Sequence, residues 1–407
     1  MSNQLIPHLF RTEYSRIVAV LCKTYGISTI EIAEDFVSDS FYKASETWKA
    51  KGIPDNPKAW LYTVAKNKAK DHFKRNDLYR SKIERELIFE KELEPFQELD
   101  LSEHNIQDSQ LRIIFAICHP LNPKESQVAL ALRILCGFGI EEIANALLST
   151  KSTINKKLYR AKEKLKANGR DFVFPKEEEF EERTENVLSV IYLLFNEGYY
   201  SSTKDQKIQK DLCLEAMRLL QLLLSYEKTD LPRVNALMAL FCFHASRFEA
   251  RIDEQGNQVL LNDQDQSKWD QALIEKGEEF LNASSGAESK YHLEALIAFS
   301  HVRMLDDETR KWEAVLQFYN RLLQLDYSPI AALNRTYALS KVKGKEAAIE
   351  EALKIKLEEN NLYYALLADL YEGIDSVKQV ECLKKGLDVC KTESDRSFFI
   401  QKMSVIK

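Results

Sequence analysis

The chain has 407 residues, 45% of them hydrophobic and 29% charged, with 57 Lys or Arg against 63 Asp or Glu for a net charge of −6. That length exceeds one ordinary core and implies roughly two to four globular domains. No run of about 18 apolar residues is present, so a membrane span is excluded. The N-terminal stretch MSNQLIPHLFRTEYSR lacks the layout of a signal peptide, and a cytoplasmic location is expected.

Only 12 Gly and 9 Pro occur, which points to long helices joined by short turns, an all-α fold. The seven Cys form no C-x-x-C pair and the seven His no H-E-x-x-H, so the expectation is buried reduced thiols and ordinary histidines, with no metal and no cofactor. Charge is segregated along the chain. Residues 1–80 carry +4, residues 81–110 carry −6, residues 111–170 carry +7, residues 171–185 carry −5, and the remainder carries −6. Two basic modules between acidic connectors suggest a nucleic-acid partner for the N-terminal part.

In residues 31–48, Ala33, Phe36, Val37, Phe41, Ala44 and Trp48 recur at helical spacing as one apolar stripe. Asp35, Asp39, Tyr42 and Glu46 fall on the opposite face. KGIPDNP at 51–57 is a turn. Residues 57–75 follow as a helix with Leu61, Val64, Ala65 and Ala69 inward and Lys66, Lys70 and Lys74 on one outer face. Residues 76–107, with the acidic run EKELEPFQELD, read as an extended or partly helical linker.

Residues 123–137, PKESQVALALRILCG, are expected to form a strongly apolar helix. A short helix with Ile140, Ile143, Ala144 and Leu147 on one face comes next. After a brief turn, STKSTINKKLYRAKEKLK (149–166) has Ile154, Leu158, Ala161 and Leu165 as its apolar stripe and seven basic residues elsewhere. Thr150 is placed to cap it, and its basic C-terminal end suits the helix dipole. Two short helices with a tight turn, the second narrow and basic, match a helix-turn-helix. Beyond the acidic PKEEEFEER the chain reads as helical from 186 to 407. Near its end Ala332 and Ala365, Ala348 and Cys382, and Leu353 and Leu387 lie 33–34 residues apart, a period that fits tetratricopeptide-type helical hairpins.

AEDFVSDSFYKASETW (33–48) and NPKAWLYTVAKNKAKDHFKRN (56–76) resemble region 2 of bacterial extracytoplasmic-function sigma factors of RNA polymerase. GIEEIANALLSTKSTINKKLYRAKEKLK (139–166) resembles their region 4. YLLFNEGYYSS, DLCLEAMRLL, LLNDQDQSKWDQALI and SPIAALNRTYAL resemble a subgroup with a helical, tetratricopeptide-like C-terminal extension. The resemblance implies a two-module promoter reader with core RNA polymerase and promoter DNA as partners and no enzymatic activity. Its domains would be region 2 at 1–78, an acidic linker at 79–107, region 4 at 108–170 and the helical domain at 186–407.

By that resemblance Asp35, Asp39, Tyr42 and Glu46 would dock on the polymerase clamp helices. The loop 51–56 with Asn67, Lys70, Lys74 and Arg75 would engage the −10 element. Ser152, Thr153, Lys156 and Lys157 would read the −35 element, with Arg160 clamping a phosphate. The linker would thread the RNA-exit path. The turn departs from the family habit of Gly followed by an apolar residue, since Leu148 and Ser149 stand there, and Asn155, Lys156 and Lys157 replace a common Lys-Ser-Arg.

In the C-terminal region Asn196, Glu197, Gly198 and Tyr199, and Asp263, Asp265, Trp269 and Asp270, are either caps and packing groups or the lining of a site for a protein partner or ligand. Glu197 with Asp263 or Asp265 could form a carboxylate pair, but no nucleophile, phosphate loop or metal spacing accompanies it. A helix-turn-helix activator with a helical sensory domain is the alternative, and it leaves the 33–75 motifs without a role.

Overall fold

The helical periods of the sequence are realised in a computed structural model. It describes residues 2–84, 100, 102–167, 174–199, 206–251, 253, 259, 261–286, 288–303, 307–390 and 393–405. All regular structure among them is helical, an all-α fold. The chain divides into two compact units, Met1–Leu223 and Leu224–Lys407. The acidic run 90–99 of the expected linker lies outside the described residues.

The first unit is built on α1 (Ser2–Tyr25). Ile17, Val18, Ala19, Val20, Leu21 and Cys22 are each at most 2% exposed, so the second half of this helix is enclosed on every side, as its continuous apolar run requires. Against it pack α2 (Ile30–Lys51), α3 (Pro57–Glu84) and α4 (Glu103–Ile117). The apolar stripe of α2 faces inward, with Ala33, Val37, Phe41, Ala44 and Trp48 buried. Gly52 ends α2 at φ +85°, and Asn56 Oδ1 accepts from Ala59 N–H at 3.0 Å to start α3. Helix α3 runs to Glu84, beyond the expected end at 75, and α4 begins inside the segment read as linker.

Next come α5 (Lys124–Leu130), a π turn over Ala131–Leu135, α6 (Ile140–Ala146) and α7 (Lys151–Ala167). The expected helix over 123–137 is therefore interrupted. Cys136 N–H reaches back five residues to Ala131 O at 3.1 Å, which widens the last turn.

Two further helices, α8 (Glu177–Tyr199) and α9 (Gln206–Leu224), pack with this unit rather than with the chain that follows. Asn186 of α8 donates to Gln127 Oε1 at 2.8 Å and to Cys118 O, and Arg218 of α9 donates to Leu135 O at 2.8 Å. Both helices thus satisfy carbonyls and amides that the basic module leaves open.

The second unit opens with α10 (Pro232–Ala245), apolar on all sides, enclosed by α11 (Gln271–Ala283) and α12 (Lys290–Val302). A side chain at Gly277 of α11 would put its Cβ 2.6 Å from the Phe243 ring, so the glycine sets how closely the two helices approach. Then α13 (Glu308–Leu325), α14 (Pro329–Lys343), α15 (Lys345–Ile355), α16 (Asn361–Tyr371), α17 (Ser376–Val389) and α18 (Glu393–Val405) pack in succession. The weak repeat falls on equivalent helices, with Ala332 on α14 and Ala365 on α16, and Ala348 on α15 and Cys382 on α17. Its third pair diverges: Leu353 is 50% exposed. The seven cysteines form no disulfide and six are buried; burial pushes Cys118 up to about 12.

His301 of α12 packs edge-on against Trp312 at 5.7 Å. Burial, with help from Lys311 and Arg247, lowers its pKa to about 4. The folded state therefore holds it neutral while the unfolded chain protonates near 6.5. Its contribution is complete above pH 6.5 and is lost as pH falls toward 4. A loss of about 2–3 kcal/mol between pH 7 and 4.5 is expected from this group. Denaturant titrations followed by tryptophan fluorescence, with His301→Gln flattening the profile in that window, check it.

Candidate nucleic-acid interface

Helix α7 buries Ile154, Leu158, Ala161 and Leu165 and leaves Ser152, Thr153, Lys156 and Arg160 exposed, so one face seats the helix and the other meets solvent. Thr150 Oγ1 accepts from Thr153 N–H at 3.1 Å and caps the first turn, and the two hydroxyls lie 2.8 Å apart. Thr153 is thus part of the cap as well as of the exposed face. Lys157 differs from its neighbours. It is half-buried and ion-paired with Glu125 of α5 at 2.8 Å, so it braces α7 on α5.

The turn before α7 explains the departure from glycine. Ser149 N–H bonds to Ala144 O at 2.8 Å and Leu148 N–H to Asn145 O at 3.4 Å, the pairing of a Schellman stop. Such a stop needs a left-handed residue, and Leu148 supplies it at φ +46° with its side chain 69% exposed. The helix-turn-helix geometry is kept at the cost of backbone strain.

On α3, Asn67, Lys70, Lys74 and Arg75 are all exposed, and Lys66 is half-buried. Trp60 packs edge-on against Trp48 at 5.4 Å, a core role. On α2, Asp35, Asp39, Tyr42 and Glu46 are exposed along one face. Tyr42 donates to Glu46 at 2.9 Å, and Lys68 of α3 donates to Asp39 at 2.6 Å. The α2 face and the α7 face are therefore each open, as separate surfaces of one unit.

A cluster that the sequence reading did not single out joins the modules. Glu34 of α2 is 4% exposed. Its carboxylate accepts from Tyr14 at 3.1 Å, Arg133 Nε at 2.9 Å and Lys162 Nζ at 2.5 Å. Beside it Lys166 pairs with Glu31. Burial, then the Glu34 charge, push the Tyr14 phenol well above its ordinary range, so it stays a donor. The signal was present in the period: Ile30, Ala33, Glu34, Val37 and Phe41 follow inward spacing, and Glu34 is the charged member.

In the second unit Asp265 accepts from Ser267 N–H at 3.0 Å and Asp270 from Leu273 N–H at 3.0 Å. Both are helix caps. The same stretch, with Gln266, Trp269, Gln271 and Glu275, lines an open cleft of about 630 Å³, and the Trp269 indole N–H is buried without a hydrogen-bond partner among the described residues. Tyr199 and Gly198 of the earlier motif are buried in the first unit, with Tyr199 stacked on Phe195 at 5.6 Å.

The sigma-70 region 2 family matches residues 9–79, which span α2 and most of α1 and α3. A family of unknown function (DUF6596) matches residues 183–285. An uncharacterized protein of Rhizobium meliloti (strain 1021) is 33% identical over 352 residues, 85% of this chain and 82% of its own length. The chain belongs to the family of that protein. An ECF RNA polymerase sigma-E factor of Haemophilus influenzae is 28% identical over 163 residues, 38% of this chain and 83% of its own. No solved structure matches the chain. Region 2 and the sigma-E likeness support a sigma-70 family sigma factor, a family whose partners are core RNA polymerase and promoter DNA. Among the described residues no helix is long and apolar enough to cross a membrane.

The strained turn before α7 is open to test. Leu148→Gly should remove the left-handed strain and stabilise the first unit by about 0.5–1 kcal/mol, net of the entropy glycine adds to the unfolded chain. A rise in the denaturation midpoint is the expected reading, and a fall would contradict the strain.

Proposed function

We propose that the protein is an extracytoplasmic-function-type sigma factor that directs promoter-specific transcription initiation, with a fused C-terminal helical domain that modulates it. The observation that carries this reading is the region 2 match on α1–α3 followed, in the same unit, by a helix-turn-helix with an exposed basic face. The 163-residue sigma-E alignment, more than twice the length of region 2, supports a second sigma module. An activator that binds DNA without polymerase leaves the region 2 match unused.

In this reading the exposed acidic and aromatic face of α2 docks on a basic helical target of core polymerase, as complementary charge favours. Asn67, Lys70, Lys74 and Arg75 hold the −10 element, whose melted strand offers bases and backbone to a basic groove. Ser152, Thr153 and Lys156 read base edges of the −35 element from the first turns of α7, and Arg160 holds a phosphate. Lys157 acts as a brace that positions them. The helical pairs α14–α15 and α16–α17 are tetratricopeptide-like, and the cleft at Trp269 takes the protein partner or ligand through which the domain acts. The protein works in the cytoplasm.

Run-off transcription with purified core polymerase and this protein as sole specificity factor is expected to yield discrete transcripts. Lys156→Ala should weaken binding of that promoter by about 1–3 kcal/mol if the side chain reads a base. If it holds only a phosphate, the salt slope should fall by about one. Unchanged affinity and slope would remove Lys156 from the interface. Ending the chain after Leu223 should change transcript yield severalfold, and an unchanged yield would remove the modulating role.

A further inference from the structure

Side-chain donors from α8 and α9 end on one kind of acceptor. Arg183 donates to Phe115 O and Asn186 to Cys118 O, both beyond the last backbone bond of α4, in which Cys118 N–H returns to Ile114 O. Arg218 donates to Leu135 O at 2.8 Å, at the end of the π turn. Helix ends leave such carbonyls open, and a side chain from another element can close them. Asn186 also reaches Gln127 of α5, and its own carbonyl accepts from Lys124 at 3.3 Å. The helix ends of the basic module are therefore finished by residues that follow it in sequence. Those ends bear on the helix-turn-helix, because α5 packs on α7 and the π turn packs on α6.

Arg183, Asn186 and Arg218 all fall within residues 183–285, the stretch matched by the family of unknown function. That stretch does not respect the division of the chain. Helix α8 and all but the last residue of α9 belong to the first unit, whereas α10 and α11 belong to the second. Within the second unit, Gly277 of α11 sets how closely that helix approaches Phe243 of α10. The passage from α9 to α10 is a hydrogen-bonded turn. Thr229 N–H and Asp230 N–H both bond to Tyr226 O, at 2.8 and 2.9 Å, and Asn235 of α10 donates to Asp230 Oδ1 at 2.8 Å. One family stretch rooted in two compact bodies is a joint, and a bonded joint passes strain on where a slack linker absorbs it.

We propose that residues 183–285 are a coupler through which the state of the second unit sets the helix-turn-helix, with Asn186 and Arg218 as its positioning residues. This deepens the modulating role proposed above, and its consequence for transcription rests on the sigma-factor reading. The lever is a change in capping. A shift of α8 or α9 alters the bonds to Cys118 O and Leu135 O, and the helices that end there carry the change to α6 and α7. The side chains on the exposed face of α7 are unchanged by it; what changes is how firmly that face is held.

Hydrogen exchange of the full-length protein, read by mass spectrometry, tests the coupling without polymerase. Gly277→Ala forces the Phe243 ring to move in the second unit. It should change exchange of the α5–α7 amides in the first unit by roughly threefold or more. Asn186→Leu with Arg218→Met should cancel that response, so that exchange in α5–α7 is the same with Gly or Ala at position 277. This is a double-mutant cycle, and a purely static cap gives it no interaction between the two sites. No response in α5–α7 with both donors intact, or a response that survives their loss, overturns the coupler. If Gly277→Ala unfolds the second unit, Phe243→Leu disturbs the same contact more mildly and is read in the same way. Run-off transcription is the separate arm. No transcript from the unaltered protein with core polymerase, while the exchange response holds, overturns the sigma-factor reading and upholds the coupler.

Discussion

The arrangement of the first unit turns on one buried carboxylate. Glu34 lies among the apolar residues of α2, where an uncompensated charge would be prohibitive. Three donors from three elements make it tolerable, and each of those elements is thereby fixed relative to α2. Tyr14 ties it to the central helix, Arg133 to the π turn and Lys162 to the helix that bears the exposed basic face. Apolar packing brings these helices near one another without fixing their register, whereas a carboxylate with two oxygens and three donors accepts very few geometries.

Much of this was legible from periodicity. The stripes of α2 and α7 appear in the structure as read, and Thr150 is the cap its position promised. Glu34 was missed because the inward stripe was drawn from apolar residues alone, although its spacing put it inside. The π turn was missed because a continuous apolar run carries no mark of one extra backbone step. Leu148 shows the converse. Its sequence departs from glycine, yet the turn keeps the left-handed geometry, since the hydrogen bonds of the helix stop outweigh the strain on one residue. The packing of α8 and α9 with the first unit was not readable, because it depends on Asn186 and Arg218 meeting carbonyls far away in sequence.

The densest polar motif of the C-terminal half divides in a similar way. Asp265 and Asp270 resolve into caps, a local role that sequence can predict from a polar residue before an apolar helix. Trp269 does not, because its residue lines an open cleft while its indole N–H is buried without a partner among the described residues. Caps explain why the motif contains aspartates; they do not explain a large aromatic residue with an unsatisfied donor, which is why the ligand reading attaches to Trp269 and not to the acids.

The basic segment 149–166 is less available to DNA than its seven positive residues suggest. Lys151 pairs with Glu141, Lys157 with Glu125, Lys162 with Glu34, and Lys166 with Glu31 and Glu163. Lys164 reaches only Leu121 O at 3.5 Å, so Lys156, Arg160 and Lys164 are exposed without an ion pair among the described residues. Affinity for a duplex rises by roughly one counterion per phosphate neutralised, so three such side chains give a weak, shallow salt dependence. Most of the charge that makes this segment conspicuous serves to hold α7 on its own protein.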